Sequence, residues 1–184
     1  MNKDIERIMV SEEQIAEAVK RLAGEIDRDY RDADGRVLLL AILKGSVVFM
    51  GDLMKRVTIP VEIDFMKVSS YGSGTTSGGR LNILLDLMRG DLDRCHVIIV
   101  EDIIDSGRTL SYLAQYLKNK GARSVRTCTL LDKPSRREVE FTPDYVGYEI
   151  EDEFAVGYGL DYDEQFRALP YVGVLRREVY SPEE

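Results

Sequence analysis

The stretch 97-VIIVEDIIDSGRTL-110 decides how this chain is read. Four apolar residues, Val97, Ile98, Ile99 and Val100, end abruptly at two adjacent carboxylates, Glu101 and Asp102. A third carboxylate, Asp105, precedes a turn of small residues, Ser106-Gly107-Arg108-Thr109, where an amphipathic segment opens. A continuous apolar run suits a strand of a parallel sheet, which is buried on both faces. The pattern therefore predicts a buried strand, an acidic loop at its carboxyl end and a helix N-terminus facing that loop. Ligands of open α/β sheets sit just beyond the carboxyl ends of strands.

Residue chemistry refines that expectation. Unpaired amides at a helix start carry the positive end of the macrodipole and favour a dianionic phosphate. Gly107 lets the backbone approach closely, and Ser106 and Thr109 add hydroxyl donors. The GxxxxGK[ST] spacing of a Walker loop is missing. Adjacent acids such as Glu101 and Asp102 accept hydrogen bonds from a vicinal diol, or share a hard cation with it. Asp105 lies between these two sites, where it could take a proton from a third group. One strand end could thus hold a ribose 5-phosphate from several sides.

The motif VIIVEDIIDSGRT closely resembles the phosphoribosyl-diphosphate (PRPP) binding signature of type I phosphoribosyltransferases, and its EDIID form resembles that of the hypoxanthine-guanine phosphoribosyltransferases. LLAILKGSVVFMGDL (39–53), VSSYGSGTTSGG (68–79), LLDKP (130–134) and FAVGYGLDYDEQFRALPYVGVL (154–175) resemble family segments in the same order. The resemblance covers nearly the whole chain. It implies an α/β fold with a mostly parallel sheet flanked by helices, and a small hood built from both termini over the sheet's carboxyl edge. It also implies Mg²⁺-dependent transfer of a 5-phosphoribosyl group from PRPP to N9 of a 6-oxopurine, hypoxanthine or guanine, with release of pyrophosphate.

Composition agrees with a compact enzyme. At 184 residues the length prior gives one domain, 1–184, large enough for a real core. Its 33 acidic and 25 basic side chains leave a net charge of -8, which disfavours nonspecific nucleic-acid binding. MNKDIERIMV has no signal-peptide core, and no apolar stretch reaches membrane-spanning length. Cys95 and Cys128 lie outside any CxxC pattern and read as reduced strand residues of a cytoplasmic protein.

The chain alternates strands and helices, an order that predicts a mostly parallel sheet with helices on both faces. Ser11-x-x-Gln14 is a capping box, and Ile15, Val19, Leu22 and Ile26 mark one helical face. Val37 to Leu43 suits a central strand, Gly45 to about Val57 a helix, and Val61 to Val68 a strand. A loop rich in Gly, Ser and Thr is expected over Ser69 to Gly79, then strands at Asn82 to Leu87 and His96 to Val100. Thr109 to Lys120 reads as a helix stopped by Gly121, a residue suited to the left-handed cap, and Ser124 to Leu131 as a further strand. From about Asp144 the tail mixes short strands with loops.

Leu43-Lys44-Gly45-Ser46 ends the first central strand, so the Lys44 ammonium should emerge at the same edge as Glu101. Gly45 and Ser46 offer a second set of helix-start amides, either as a plain turn or as a pyrophosphate subsite. The resemblance makes it the latter, with a cis Leu43–Lys44 peptide. It also implies that 69–79 is a lid whose Ser70 and Tyr71 touch the pyrophosphate. By the same route Lys133 pairs with O6 of the base, Phe154 stacks on the purine with Ile103 opposite, and Ala155 contacts it through its backbone. Asp161 is implied as a Mg²⁺ ligand beside Glu101 and Asp102, and Arg167 as a neutraliser of pyrophosphate. Asp105 is the implied general base, and Arg108 stands within the phosphate loop. Leu85 departs from a lysine common in relatives, and Ala155 from a valine. Relatives commonly form homodimers or homotetramers. His96 has no partner by spacing and is given no catalytic role.

Two other classes share parts of this pattern. A PRPP-binding regulator of the same fold would need a basic face for nucleic acid, against the net charge of -8. A transferase for adenine, uracil or orotate would keep the phosphate loop and lack the Lys133–Phe154 pair.

Overall fold

The two most apolar runs lie side by side at the centre of the molecule. β2 (Arg36–Leu43) pairs in parallel with β5 (Cys95–Ile104), which sets Leu40 beside Ile99 and Ala41 beside Val100. The computed structural model describes residues 2–70 and 81–181. β3 (Val61–Ser70) and β4 (Leu81–Leu85) extend the sheet on one side, and β6 (Ser124–Asp132) and β7 (Tyr145–Glu149) on the other. The order is β4-β3-β2-β5-β6-β7, parallel throughout except for β4, which returns antiparallel on β3.

Period-two alternation divides the central strands between two cores. Val37, Leu39, Ala41, Ile98 and Val100 pack with α1 (Glu12–Tyr30) and α2 (Val47–Met54). Leu38, Leu40, Ile42, Val97 and Ile99 pack with α3 (Arg108–Asn119) on the opposite face. This is the helix-covered parallel sheet that continuous apolar strands require. α1 starts at the expected capping box: the Gln14 amide donates to Ser11 Oγ at 3.3 Å, and the Ser11 amide to Gln14 Oε1 at 2.8 Å. Its buried face carries Ile15, Val19, Leu22 and Ile26. A second sheet joins β1 (Ile5–Val10), β8 (Ala155–Val156) and β9 (Val172–Leu175) in the order β1-β9-β8, around Ile5, Val156 and Leu175.

Four elements depart from their expected boundaries. β5 does not stop at Val100. β6 goes on pairing past the last β2 partner, with Glu101 opposite Thr129 and Ile104 opposite Asp132, so the acid pair lies inside the strand and not in a loop. α2 is shorter than Gly45 to Val57. Buried Ser46 donates its hydroxyl to the Ile42 carbonyl at 2.5 Å, which makes 44–46 a turn, and the Arg56 and Val57 amides fold back onto the Leu53 carbonyl. β3 runs through Ser69 and Ser70, held by Asn82 and Leu81, while β4 ends at Leu85 as Asp86 accepts from the Leu87 amide at 2.8 Å. The remainder of the expected lid, residues 71–79 with Tyr71, lies outside the described residues.

Cys95 and Cys128 are free and buried, on β5 and β6. His96 stands at the amino end of β5, with Ser124 Oγ at 2.7 Å, the Asp34 carbonyl at 3.2 Å and the Tyr30 ring edge-on. Among the described residues no helix is long and apolar enough to cross a membrane.

Candidate active site

The carboxyl ends of β2, β5 and β6 bring most of the singled-out residues to one edge. Alternation along β5 places Glu101 on the face of Val97 and Ile99, and Asp102 on the face of Ile98 and Val100. Asp102 meets the turn after β2: a Cβ on Gly45 would lie 1.6 Å from its Oδ2. The Ile103 amide donates to its other oxygen at 2.8 Å. Burial pushes the Asp102 carboxyl up to about 6, against the Ile103 amide and the nearby Arg167 charge, which favour ionisation. Glu101 is driven further. Burial first, then the neighbouring charge of Asp102, hold it well above the usual carboxylate range, and its Oε2 is buried with no hydrogen-bond partner. Such an oxygen is stabilised by a hydroxyl donor or a cation.

The turn that opens α3 follows directly on β5. Gly107 caps the helix at φ 78°, in the left-handed region glycine enters without penalty. Its Cβ would also strike Arg137 Cδ at 2.9 Å, because the segment after β6 closes over this loop. Arg137 donates to the Asp105 carbonyl and pairs with Asp132, while the Glu138 amide donates to the Ser106 carbonyl at 3.0 Å. The Arg108 amide donates to Ser106 Oγ at 3.3 Å, and its guanidinium pairs with Glu138 at 2.5 Å. Thr109 lies in the first turn of α3. Arg137 was not singled out from sequence, where one arginine among charged neighbours carries no signal.

On the β2 side the Leu43–Lys44 peptide is cis, as the resemblance implied. Lys44 reaches across to the 157–169 segment, its Nζ 2.8 Å from Glu164 Oε1. Arg167 pairs with Glu164 Oε2 at 3.1 Å and Asp161 Oδ1 at 2.9 Å, and donates to the Gly159 carbonyl at 2.8 Å. The Gly159 backbone packs on Gly45, where an added Cβ would lie 2.0 Å from the Gly45 carbonyl oxygen. Lys44, Gly45, Asp102, Asp161 and Arg167 therefore form one connected patch. Glu164 and Gly159, which join it, have no spacing signal in the sequence.

On the β6 side Lys133 is only 7% exposed. Its ammonium donates to the Glu153 carbonyl at 2.7 Å and lies 3.7 Å from Asp105 Oδ1 and 3.9 Å from Asp152 Oδ1. Phe154 is half-exposed, stacked on Tyr180 at 4.7 Å and edge-on to Tyr162 at 5.5 Å. Ala155 follows in β8 opposite Val174, and Ile103 is half-buried in β5. Ser70 closes β3. Among the described residues no three His, Cys, Asp or Glu side chains converge as a ready metal cage. Glu101, Asp102 and Asp161 nonetheless fit a hard cation, being oxygen donors of which one is buried and unpartnered. Mg²⁺ usually takes one or two carboxylates and completes its shell with water and substrate oxygens.

The Phosphoribosyl transferase domain family matches residues 9–163, which gives the class of the fold. The chain is 47% identical over 181 residues to the hypoxanthine-guanine phosphoribosyltransferase of Bacillus subtilis (strain 168), covering 98% of this chain and 99% of that protein. It is also 48% identical to the bifunctional protein TilS/HprT of Listeria monocytogenes, of whose length it spans 28%. A hypoxanthine phosphoribosyltransferase structure from Staphylococcus aureus superposes with a TM-score of 0.91 at 43% identity, covering 97% of this chain and 95% of that one. The chain belongs to the hypoxanthine-guanine phosphoribosyltransferase family.

Proposed function

We propose that this protein transfers the 5-phosphoribosyl group of PRPP to N9 of hypoxanthine, and of guanine, giving the 5′-nucleotide and pyrophosphate in purine salvage. The observation that carries this reading is the 3.7 Å separation of Lys133 Nζ and Asp105 Oδ1 beside the α3 phosphate loop. A donor next to an acceptor suits the adjacent O6 and N7–H of a 6-oxopurine. Lys133, which can only donate, would face two further donors on a 6-amino group and reject it.

In this reading the backbone of Ser106, Gly107, Arg108 and Thr109 holds the 5′-phosphate, while Glu101 and Asp102 accept from the ribose hydroxyls. Asp105 takes the N7 proton as N9 bonds to the anomeric carbon, a role that requires hydrogen-bond reach to the base. Phe154 offers a ring face to the purine, with Ile103 opposite and the Ala155 backbone at its edge. Lys44, the Gly45 amide, Ser70, Tyr71 and Arg167 bind the departing diphosphate and stabilise its growing charge. Asp161, Glu101 and Asp102 would hold Mg²⁺, which when bound neutralises diphosphate oxygens. A cytoplasmic location and a homodimeric or homotetrameric assembly complete the reading, both supported by the family resemblance.

The test is pyrophosphate release from PRPP with hypoxanthine, guanine, xanthine and adenine in parallel, with and without Mg²⁺. Turnover of 6-oxopurines, lost without metal and absent with adenine, is expected. Lys133→Ala should erode that discrimination. Equal turnover of adenine and hypoxanthine by the unaltered protein would overturn the base-site assignment.

A further inference from the structure

Glu164 stands where nothing in its local backbone asks for a glutamate. Tyr162 and Gln165 close a two-residue turn, with the Gln165 amide on the Tyr162 carbonyl at 3.0 Å and the reverse bond at 3.3 Å. Both residues at its tip are left-handed, Asp163 at φ 49° and Glu164 at φ 60°. Such turns favour Gly, Asn and Asp, and a longer side chain there is disfavoured sterically. What Glu164 gains is on its side chain: one carboxylate oxygen lies 2.8 Å from Lys44 Nζ and the other 3.1 Å from the Arg167 guanidinium. Its amide also donates to Asp161 Oδ2 at 2.9 Å.

Resting on the functional reading above, in which Lys44 and Arg167 bind the diphosphate, we infer that Glu164 competes with the diphosphate for its subsite. Its carboxylate bridges the two cations from β2 and the 157–169 segment, and so occupies the place an anion would take between them. A diphosphate must displace it. The exchange is feasible because the Lys44 arm of the bridge is weak, the Glu164 and Lys44 side chains being 64% and 51% exposed and such pairs largely screened, while Arg167, 25% exposed, keeps its Asp161 and Gly159 partners when Glu164 leaves. A diphosphate, with more charge and more acceptor oxygens, outcompetes a single carboxylate. The same competition opposes retention of product pyrophosphate, so Glu164 tunes affinity for the leaving group and not for the base.

Glu164→Gln keeps the size and backbone of the residue and removes the competing charge. With Mg²⁺ present, titration of inorganic pyrophosphate by calorimetry should give a dissociation constant about three- to tenfold lower than for the unaltered protein, the range set by one exposed ion pair and one partly exposed one. KM for PRPP should fall in parallel while KM for hypoxanthine stays unchanged. Glu164→Asp, whose shorter side chain cannot reach both cations, should fall between. A purely structural role gives the opposite sign, with pyrophosphate binding weakened as Lys44 and Arg167 come apart. Weakened or unchanged pyrophosphate binding in a Glu164→Gln protein that retains transferase activity would overturn the inference and leave the transferase reading intact. Absence of both pyrophosphate binding and transfer in the unaltered protein would overturn the two together.

Discussion

Gly45 is the position at which a single atom does most damage. A methyl there would overlap the Asp102 carboxylate at 1.6 Å, and the Gly159 backbone already presses on the Gly45 carbonyl from the other side. Asp102 sits in β5 beyond its last β2 partner, with β6 paired on the other side and its Oδ1 held by the Ile103 amide, so its carboxylate is fixed where the methyl would fall. Gly45→Ala is therefore expected to separate β2 from the 157–169 segment, lower stability by about 1–3 kcal/mol as an overpacked site does, and weaken PRPP binding at least tenfold. Thermal denaturation and a PRPP titration measure the two losses; a full-affinity Gly45→Ala protein would contradict the packing described. At this scale the sequence was informative where a residue's chemistry is unusual in its place. A lysine ending an apolar strand and carboxylates ending another pointed to the edge. It was silent on Glu164 and Arg137, ordinary surface residues by type, whose roles come from partners distant in sequence. The depth of Glu101 was also hidden, because it depends on β6 continuing beside it.

Between elements, Asp27 shows how α1 is tied to the approach of β3. Its carboxylate accepts from the Thr58 amide at 2.9 Å, the Thr58 hydroxyl at 2.7 Å and the Ile59 amide at 3.1 Å. Partial burial raises its pKa, but the Thr58 hydroxyl and the two amides outweigh that and hold it below the usual aspartate value. A lowered folded-state pKa contributes stability that is present above the unfolded value, about 3.9, and is lost as pH falls through the folded one. Asp27→Asn should thus cost about 1 kcal/mol at pH 7, discounted for solvent screening, and the difference in Tm from the unaltered protein should shrink below pH 4. A pH-independent difference would contradict the ionic account. Element boundaries were legible where local chemistry sets them, as at the α1 capping box and at Gly121, which takes φ 92°. They were misjudged where pairing sets them. β5 outran its apolar run because β6 supplies partners to Ile104, and α2 starts two residues later than expected, after a turn in which the Ser46 hydroxyl bonds back to the Ile42 carbonyl.

Across the whole molecule the two cores meet at a sheet that shields both cysteines. Cys95 belongs to the α3 face and Cys128 to the α1–α2 face, and each is 0% exposed. Burial pushes both thiols up, away from the reactive thiolate. A thiol reagent should therefore label neither in the folded protein at a rate above that of global unfolding; rapid labelling of one equivalent would contradict the core assignment. The order of strands and helices was readable from the apolar runs because a parallel sheet buries both faces and forces alternation with helices. The small β1-β9-β8 sheet was not readable from periodicity, since its strands are short and lie at opposite ends of the sequence; it came from resemblance. That sheet, with the 157–169 segment beside it, brings Phe154, Asp161 and Arg167 over the carboxyl edge. The most direct test is to incubate the protein with PRPP, Mg²⁺ and hypoxanthine, follow the products by NMR, and repeat with Asp105→Asn. An N9-linked 5′-nucleotide and one pyrophosphate per turnover are expected, formed roughly 10²-fold more slowly by the variant. An unchanged rate in Asp105→Asn, or no nucleotide from the unaltered protein, would contradict the proposed mechanism.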